Sequence, residues 1–243
     1  FAETVVARAS TGEAFVEYQN RIHRFNFHTG EYRGSVATGF FDVKHMSLMN
    51  DGRLMVTHST GSHAIDPVTG SVGFGLNYVA GDVPMGAVQM QSGKFVALSR
   101  FSGASTTYYT NRFSGSGGLE ASSSFHNTTS FSDQYLGVGK VGDRVLYWGD
   151  DATAVFNGFA RVSTEAGAVT PVGSSTTEAP TFIATSGMTH TGTLVTVGSS
   201  ISGSSFINRV YMSSSAIDYG FAYTSMVLPM TTQIKSVDVV LAP

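Results

Sequence analysis

Three aspartates stand at nearly one phase ahead of a recurring turn: Asp42, Asp82 and Asp133 lie 11, 12 and 11 residues before Arg53, Lys94 and Arg144. Carboxylates gathered by a repeat can share a cation or a polar ligand through their oxygens. They can also divide into acid and base for glycoside hydrolysis, which needs the pair roughly 5 to 10 Å apart. The same residue type caps turns, because an Asp side chain bonds backbone amides a few positions away. Each reading puts the aspartates where a strand begins.

A second set is small and polar. Ser102 and Ser105 lie in Ser102-Gly103-Ala104-Ser105, Asp150 and Asp151 in Asp150-Asp151-Ala152-Thr153, and Ser200 and Ser202 in Ser199-Ser200-Ile201-Ser202-Gly203. These segments are expected to form enlarged loops on one face, either as solvated hairpins or as a recognition surface mounted on a rigid scaffold. His58 and His63 flank a turn, and His23 and His28 bracket a strand. Residues five apart on one regular strand point to opposite faces, and a metal centre needs three or four converging ligands, so hydrogen bonding is expected of these rings and no metal site. His45, His126 and His190 are isolated. Trp148, inside Val145-Leu146-Tyr147-Trp148, reads as core rather than as a sugar platform. Arg112 and Arg209 follow Asn111 and Asn208 and read as structural hydrogen-bond donors, projecting between units or from the ring face to a neighbour's carbonyls or an acidic partner. No serine sits in Gly-x-Ser-x-Gly and no Gly-Lys-Ser/Thr occurs, so neither a nucleophile elbow nor a phosphate loop is predicted, and no cofactor.

The elements that must position these residues are set by a repeat. A turn followed by a short apolar run recurs five times: Glu13-Ala14-Phe15-Val16, Arg53-Leu54-Met55-Val56, Lys94-Phe95-Val96-Ala97, Arg144-Val145-Leu146-Tyr147 and Thr193-Leu194-Val195-Thr196. The steps are 40, 41, 50 and 49 residues, within the range of solenoids, propellers and arrays. A second turn follows at Gly30, Gly70, Gly117, Gly167 and Ser215, 17, 17, 23, 23 and 22 residues after each anchor. The spacing predicts four short strands per unit, with the excess of the last three units lodged between the second and third strands. β-branched and aromatic runs bounded by Gly, Asn, Asp and Ser support strands, and no segment carries a sustained helical stripe.

Composition narrows the function classes. Charged residues are 13% of the 243, about half the usual share, and the net charge is −3 with 14 scattered Lys and Arg. Nucleic-acid binding, which needs a basic stripe, is not expected. No apolar run reaches the roughly 20 residues of a membrane span, so no membrane insertion is expected. Without cysteine the fold relies on its core or on an assembly. A chain opening on Phe1 reads as processed or as part of something longer.

The repeat resembles that of β-propellers with degenerate blades. The fold expected is all-β, a five-bladed β-propeller, in one domain over 1–243, with blades at about 1–37, 38–78, 79–122, 123–175 and 176–225 and a closing strand at 234–241. The alternative is a two-sheet β-sandwich. The resemblance places Asp42, Asp82 and Asp133 at the mouth of a central channel. Low charge with abundant Ser, Thr and Gly looks most like a structural or attachment protein of a bacteriophage particle. That likeness implies a non-enzymatic module, virion-borne or extracellular, whose partners are other copies of itself, other assembly proteins and receptor glycans. The alternative is a secreted carbohydrate-active propeller, lectin or glycosidase.

Overall fold

The structure, a computed structural model, describes residues 4–129, 134–141, 143–150, 159–172, 182–188, 194–202, 205–213 and 223–227. The described strands form five four-stranded antiparallel sheets, each in chain order. The first holds β1 (Thr4–Arg8), β2 (Glu13–Tyr18), β3 (Arg21–Asn26) and β4 (Tyr32–Ala37). The second holds β5 (His45–Leu48), β6 (Leu54–His58), β7 (Gly61–Ile65) and β8 (Val72–Gly75). The third holds β9 (Val83–Gln89), β10 (Phe95–Ser102), β11 (Thr106–Phe113) and β12 (Leu119–Thr128). The fourth holds β13 (Gln134–Val141), β14 (Arg144–Asp150), β15 (Phe159–Thr164) and β16 (Thr170–Val172). The fifth holds β17 (Phe182–Met188), β18 (Leu194–Ser202), β19 (Ser205–Ser213) and β20 (Tyr223–Val227). Among the described residues the helical exception is a 3-10 turn at Ala9–Thr11.

The apolar runs of β6 and β10 are continuous because these strands are buried on both faces. Leu54 and Val56 of β6 pack with Phe15 and Ile22 of the first sheet, while Met55 between them packs with Phe95 and Phe113 of the third. β10 repeats the alternation: Phe95 and Ala97 face the second sheet, Val96 and Leu98 join Val138, Val145 and Tyr147 of the fourth. Each such fully buried side chain contributes about 2 kcal/mol. First strands meet in succession, β1 with β5, β5 with β9, β9 with β13 and β13 with β17. The first four sheets stack face to face through successive cores, which a two-sheet sandwich does not allow.

Two expectations are corrected. In the third and fifth units the excess residues lengthen the strands instead of enlarging a loop: β6 and β7 have five residues each, β10 and β11 eight, β18 and β19 nine, while in the fourth residues 151–158, between β14 and β15, lie outside the described residues. Ser102 ends β10, Ser200 and Ser202 lie within β18 opposite Ile207 and Ser205, and Asp150 ends β14 opposite Gln134. Among the described members of that set only Ser105 lies in a turn, Gly103–Ser105, closed by the Gly103 amide on Ser105 O at 3.0 Å. The third sheet also runs past the expected boundary at 122, because β12 continues to Thr128. The expected closing strand at 234–241 lies outside the described residues.

Up-and-down order fixes which turns share an end. The first strand of each sheet runs from one end to the other and the second returns, so the turns between strands one and two, and three and four, share what we call the anchor end. The sheet-to-sheet connections and the turns between strands two and three share the opposite, connection end. At the anchor end the second turn is built the same way in neighbouring sheets. Asn26 Oδ1 accepts the His28 and Thr29 amides at 2.9 and 3.2 Å, and Asp66 Oδ1 accepts those of Val68 and Thr69 at 2.7 and 3.0 Å. Gly117 completes the equivalent third-sheet turn at φ +91°, and a Cβ there would stand 2.2 Å from the carbonyl oxygen of Gly75. Anchor turns also clasp the following sheet: Arg8 Nη1 donates to Gly52 O at 3.2 Å, and Asn50 Nδ2 donates to Met90 O at 2.9 Å.

Candidate functional site

The connection end gathers both described aspartates and part of the small polar set. Asp42 and Asp82 sit in the leads into β5 and β9, and Ser102 and Ser105 sit by the β10–β11 turn. These leads and turns belong to one end by strand order, so the acidic residues and the small polar ones share a face. Asp133 and Asp151 lie outside the described residues.

The two described aspartates differ in setting. Asp42 is exposed, adopts φ +56°, and its Oδ2 lies 3.6 Å from Lys44 Nζ. Asp82 is half-buried, and its Oδ2 accepts the Ser99 hydroxyl at 2.7 Å. Ser99 Oγ in turn accepts Asn111 Nδ2 at 2.7 Å, inside the sheet. Beside them the buried Tyr78 hydroxyl bonds Ser62 Oγ at 2.9 Å, and Ser62 bonds Thr57 Oγ1 at 2.8 Å. Burial drives the Tyr78 phenol well above its ordinary range, opposed by the Ser62 bond and reinforced by the Asp82 charge. Asp82 is therefore a fixed acceptor rooted in a polar chain, and Asp42 an open one.

Around them stand large apolar side chains in water. Phe41 is 76% exposed, Val79 48%, Phe101 44% and Tyr18 41%, all on leads or strand ends at this end. Gln19 and Asn20, at φ 52° and 60°, form the two-residue turn after Tyr18 that the right-handed twist of a hairpin favours. Thr38 fixes the next lead, donating to Asn20 O at 3.0 Å and accepting the Phe40 amide at 3.1 Å. Phe40 turns inward while Phe41 turns out.

The hydrogen bonding expected of the histidines is seen at one pair. His58 and His63 bond each other, Nε2 to Nδ1 at 2.8 Å, with Phe40 stacked on both rings at 4.0 and 4.8 Å between centroids. The register explains the meeting: Val56 pairs with His63, so His58, two residues along β6, is its diagonal neighbour on the same face. The opposite-face rule for a single strand does not cover residues on two sides of a hairpin. Burial, then the neighbouring His63, lowers the His58 pKa from 6.5 to about 4, and burial lowers His63 as well. His45 is not isolated either: burial outweighs its bond to the Val138 backbone and lowers its pKa to about 4, and it packs against Gly86. Arg112 finds an acidic partner in Glu120 of its own sheet at 3.2 Å. Among the described residues no three His, Asp or Glu side chains converge as metal ligands would. The arrangement can stack a planar or ring-shaped apolar surface and accept hydrogen bonds from hydroxyls.

No protein-family model matches this chain, and neither does any curated protein sequence. Solved structures do. The β-propeller domain of Myceliophteria thermophila Cps50 (Swd1) superposes with a TM-score of 0.57 at 11% identity, covering 93% of this chain and 71% of that one. An oligogalacturonate lyase in complex with manganese gives 0.53 at 10% identity, covering 88% and 62%. A protein of unknown function from Bacteroides caccae gives 0.49 at 16%, covering 78% and 64%. The chain thus spans somewhat under two thirds of two of the three. Together with the five four-stranded sheets, the first two likenesses define the fold as a β-propeller. At such identities the likeness extends to fold alone.

Proposed function

We propose that this chain is a non-enzymatic binding module, virion-borne or extracellular, whose connection end contacts glycans. One observation carries the reading: exposed Phe41, Tyr18 and Phe101 share an end with the open carboxylate of Asp42 and the rooted one of Asp82. Sugars present an apolar ring face edged by hydroxyls, which suits aromatic rings beside carboxylate acceptors. The low charge supports an extracellular setting, since 13% ionic residues leave a surface that is polar without being ionic. Asp82 is already engaged by Ser99, which suits an orienting acceptor better than one member of an acid–base pair.

The test is a glycan array followed by calorimetry on the best ligand. Phe41→Ala and Asp82→Asn are expected each to weaken binding at least about tenfold, the loss of roughly 1.4 kcal/mol. Retention of no glycan, or binding by both variants as tight as that of the wild-type chain, overturns the reading. Release of shorter saccharides by the wild-type chain and not by Asp82→Asn would make it a glycosidase instead.

A further inference from the structure

We infer that Arg100 is an oxyanion-binding residue of the connection end, so that the saccharides this face takes are acidic ones, carrying a uronate carboxylate or a sulfate ester. The inference rests on the reading of the connection end as a glycan face and names the ligand class of that face.

Strand alternation sets where Arg100 stands. Val96 and Leu98 of β10 face the fourth sheet, so Arg100, two residues on, stands on the same face nearer the connection end. Its direct cross-strand partner is Tyr108, which belongs to that same inter-sheet cluster. Tyr108 is paired in turn with His126, their ring centroids 6.0 Å apart, and one step nearer the end Ser102, Thr106 and Thr128 form the next row. Toward the connection end the apolar core between the third and fourth sheets thus gives way to two rows of hydrogen-bonding side chains headed by one guanidinium.

That guanidinium is unmet. Arg100 makes no hydrogen bond, ion pair or ring contact among the described residues, and its Nε is buried without an acceptor. The other Lys and Arg whose side chains are described are engaged: most meet a carboxylate, Arg21 bonds Ser35, and Lys140 donates to Gln89 O. The opposite face of the same sheet resolves its polar groups internally, Asn111 donating to Ser99 and Ser99 to Asp82 at 2.7 Å each. A buried N–H left without an acceptor is costly, and a guanidinium has donors only, set in a planar fork. The group that satisfies it brings acceptor oxygens in pairs, as carboxylates and sulfates do. A neutral sugar offers hydroxyls singly and no charge.

Position ties the cation to the rest of the face. Arg100 lies between Ser99, which holds Asp82, and Phe101, which is 44% exposed and lies against Gly81 in the lead into β9. A saccharide laid across this end of the third sheet meets an acceptor, an aromatic ring and a cation from one stretch of chain. The competing partner is a carboxylate of the fourth unit. Asp133 and Asp151 lie outside the described residues, as does the side chain of Asp150, and an ion pair to one of them would make Arg100 scaffold.

The experiment follows the Arg100 Nε–H resonance, assigned by its loss in Arg100→Gln, through titrations with sodium acetate and sodium sulfate, with sodium chloride as the control at equal ionic strength. Expected is a saturable shift that chloride does not produce. On the glycan array the wild-type chain should retain uronate- or sulfate-bearing glycans at least about tenfold better than their neutral counterparts, the two arms telling which oxyanion is read. Arg100→Lys, which keeps the charge and loses the fork, should lose most of that preference. Thermal unfolding of Arg100→Gln combined with Asp133→Asn, Asp150→Asn or Asp151→Asn should be additive. A shift that never saturates, equal retention of acidic and neutral glycans, or a non-additive pair overturns the inference. Retention of neutral glycans alone removes this inference and leaves the glycan reading; an empty array beside a saturable acetate or sulfate shift removes the glycan reading and keeps the oxyanion site.

Discussion

The two ends of the sheets are built on opposite plans. At the anchor end, turns recur from sheet to sheet with the same Asx bonds, glycines take the left-handed positions, and side chains reach across to cap the carbonyls of the next sheet. At the connection end the leads into β5 and β9 differ: Phe41 and Asp42 stand in water in one, while Tyr78 and Asp82 are drawn into a polar network in the next. Uniform turns are what a scaffold needs and irregular ones are what a ligand can read. The repetition therefore marks the end that carries the fold, and the proposed binding face lies where the repetition fails.

The largest effect that would break this contrast is at Gly117. Gly117→Ala forces both a left-handed alanine and a clash with Gly75 O, and should cost about 3 kcal/mol or more in denaturant unfolding. A mild effect there would deny the anchor end its role in joining the sheets. Next is Glu13, 5% exposed, which accepts from Arg24 at 2.9 Å, from Thr11 at 2.9 Å and from Arg8. Burial alone would raise its pKa, yet the bonds from Arg24, Arg8 and Thr11 together outweigh it and lower the value from 4.5 to about 2. The stability it contributes is complete above pH 4.5 and lost as pH falls through about 2. Glu13→Gln should cost about 2 kcal/mol at neutral pH and flatten that acid decline, read by Tm against pH.

The connection end should respond weakly in stability. Gln19→Gly relieves a non-glycine left-handed residue and should gain about 0.5 to 1 kcal/mol. Phe41→Ala should leave Tm unchanged within the effect of about 0.5 kcal/mol typical of exposed sites. A large loss at Phe41 would mean that this ring is packed scaffold, and the division between the ends would fail.

The scaffold was legible because its signal is periodic. Turn glycines and continuous apolar runs such as Leu54-Met55-Val56 report burial on both faces, and that pattern needs no knowledge of the partner sheet. Strand length was misread where strands are rich in Ser and Thr: Ser199 to Ser202 has the composition of a loop, and pairing with Ser205–Asn208 makes it strand. The phase of the aspartates located the leads, while composition could not separate an open Asp42 from a rooted Asp82, since Ser99 lies 17 residues away from the latter. The His58–His63 pair was readable in principle. Two histidines astride a two-residue turn, with Thr57 facing Ser62, fall on one face by register alone.

Because β10 spends one face on the sheet before it and the other on the sheet after it, no described core belongs to a single sheet. Deleting one whole sheet would uncover two apolar faces of like chemistry able to close on each other, whereas deleting half a sheet would leave one without a match. Architectures coupled in this nearest-neighbour way gain and lose length in units of a sheet. The 40- and 41-residue steps between the first three anchors are the size of that currency-free quantum of growth.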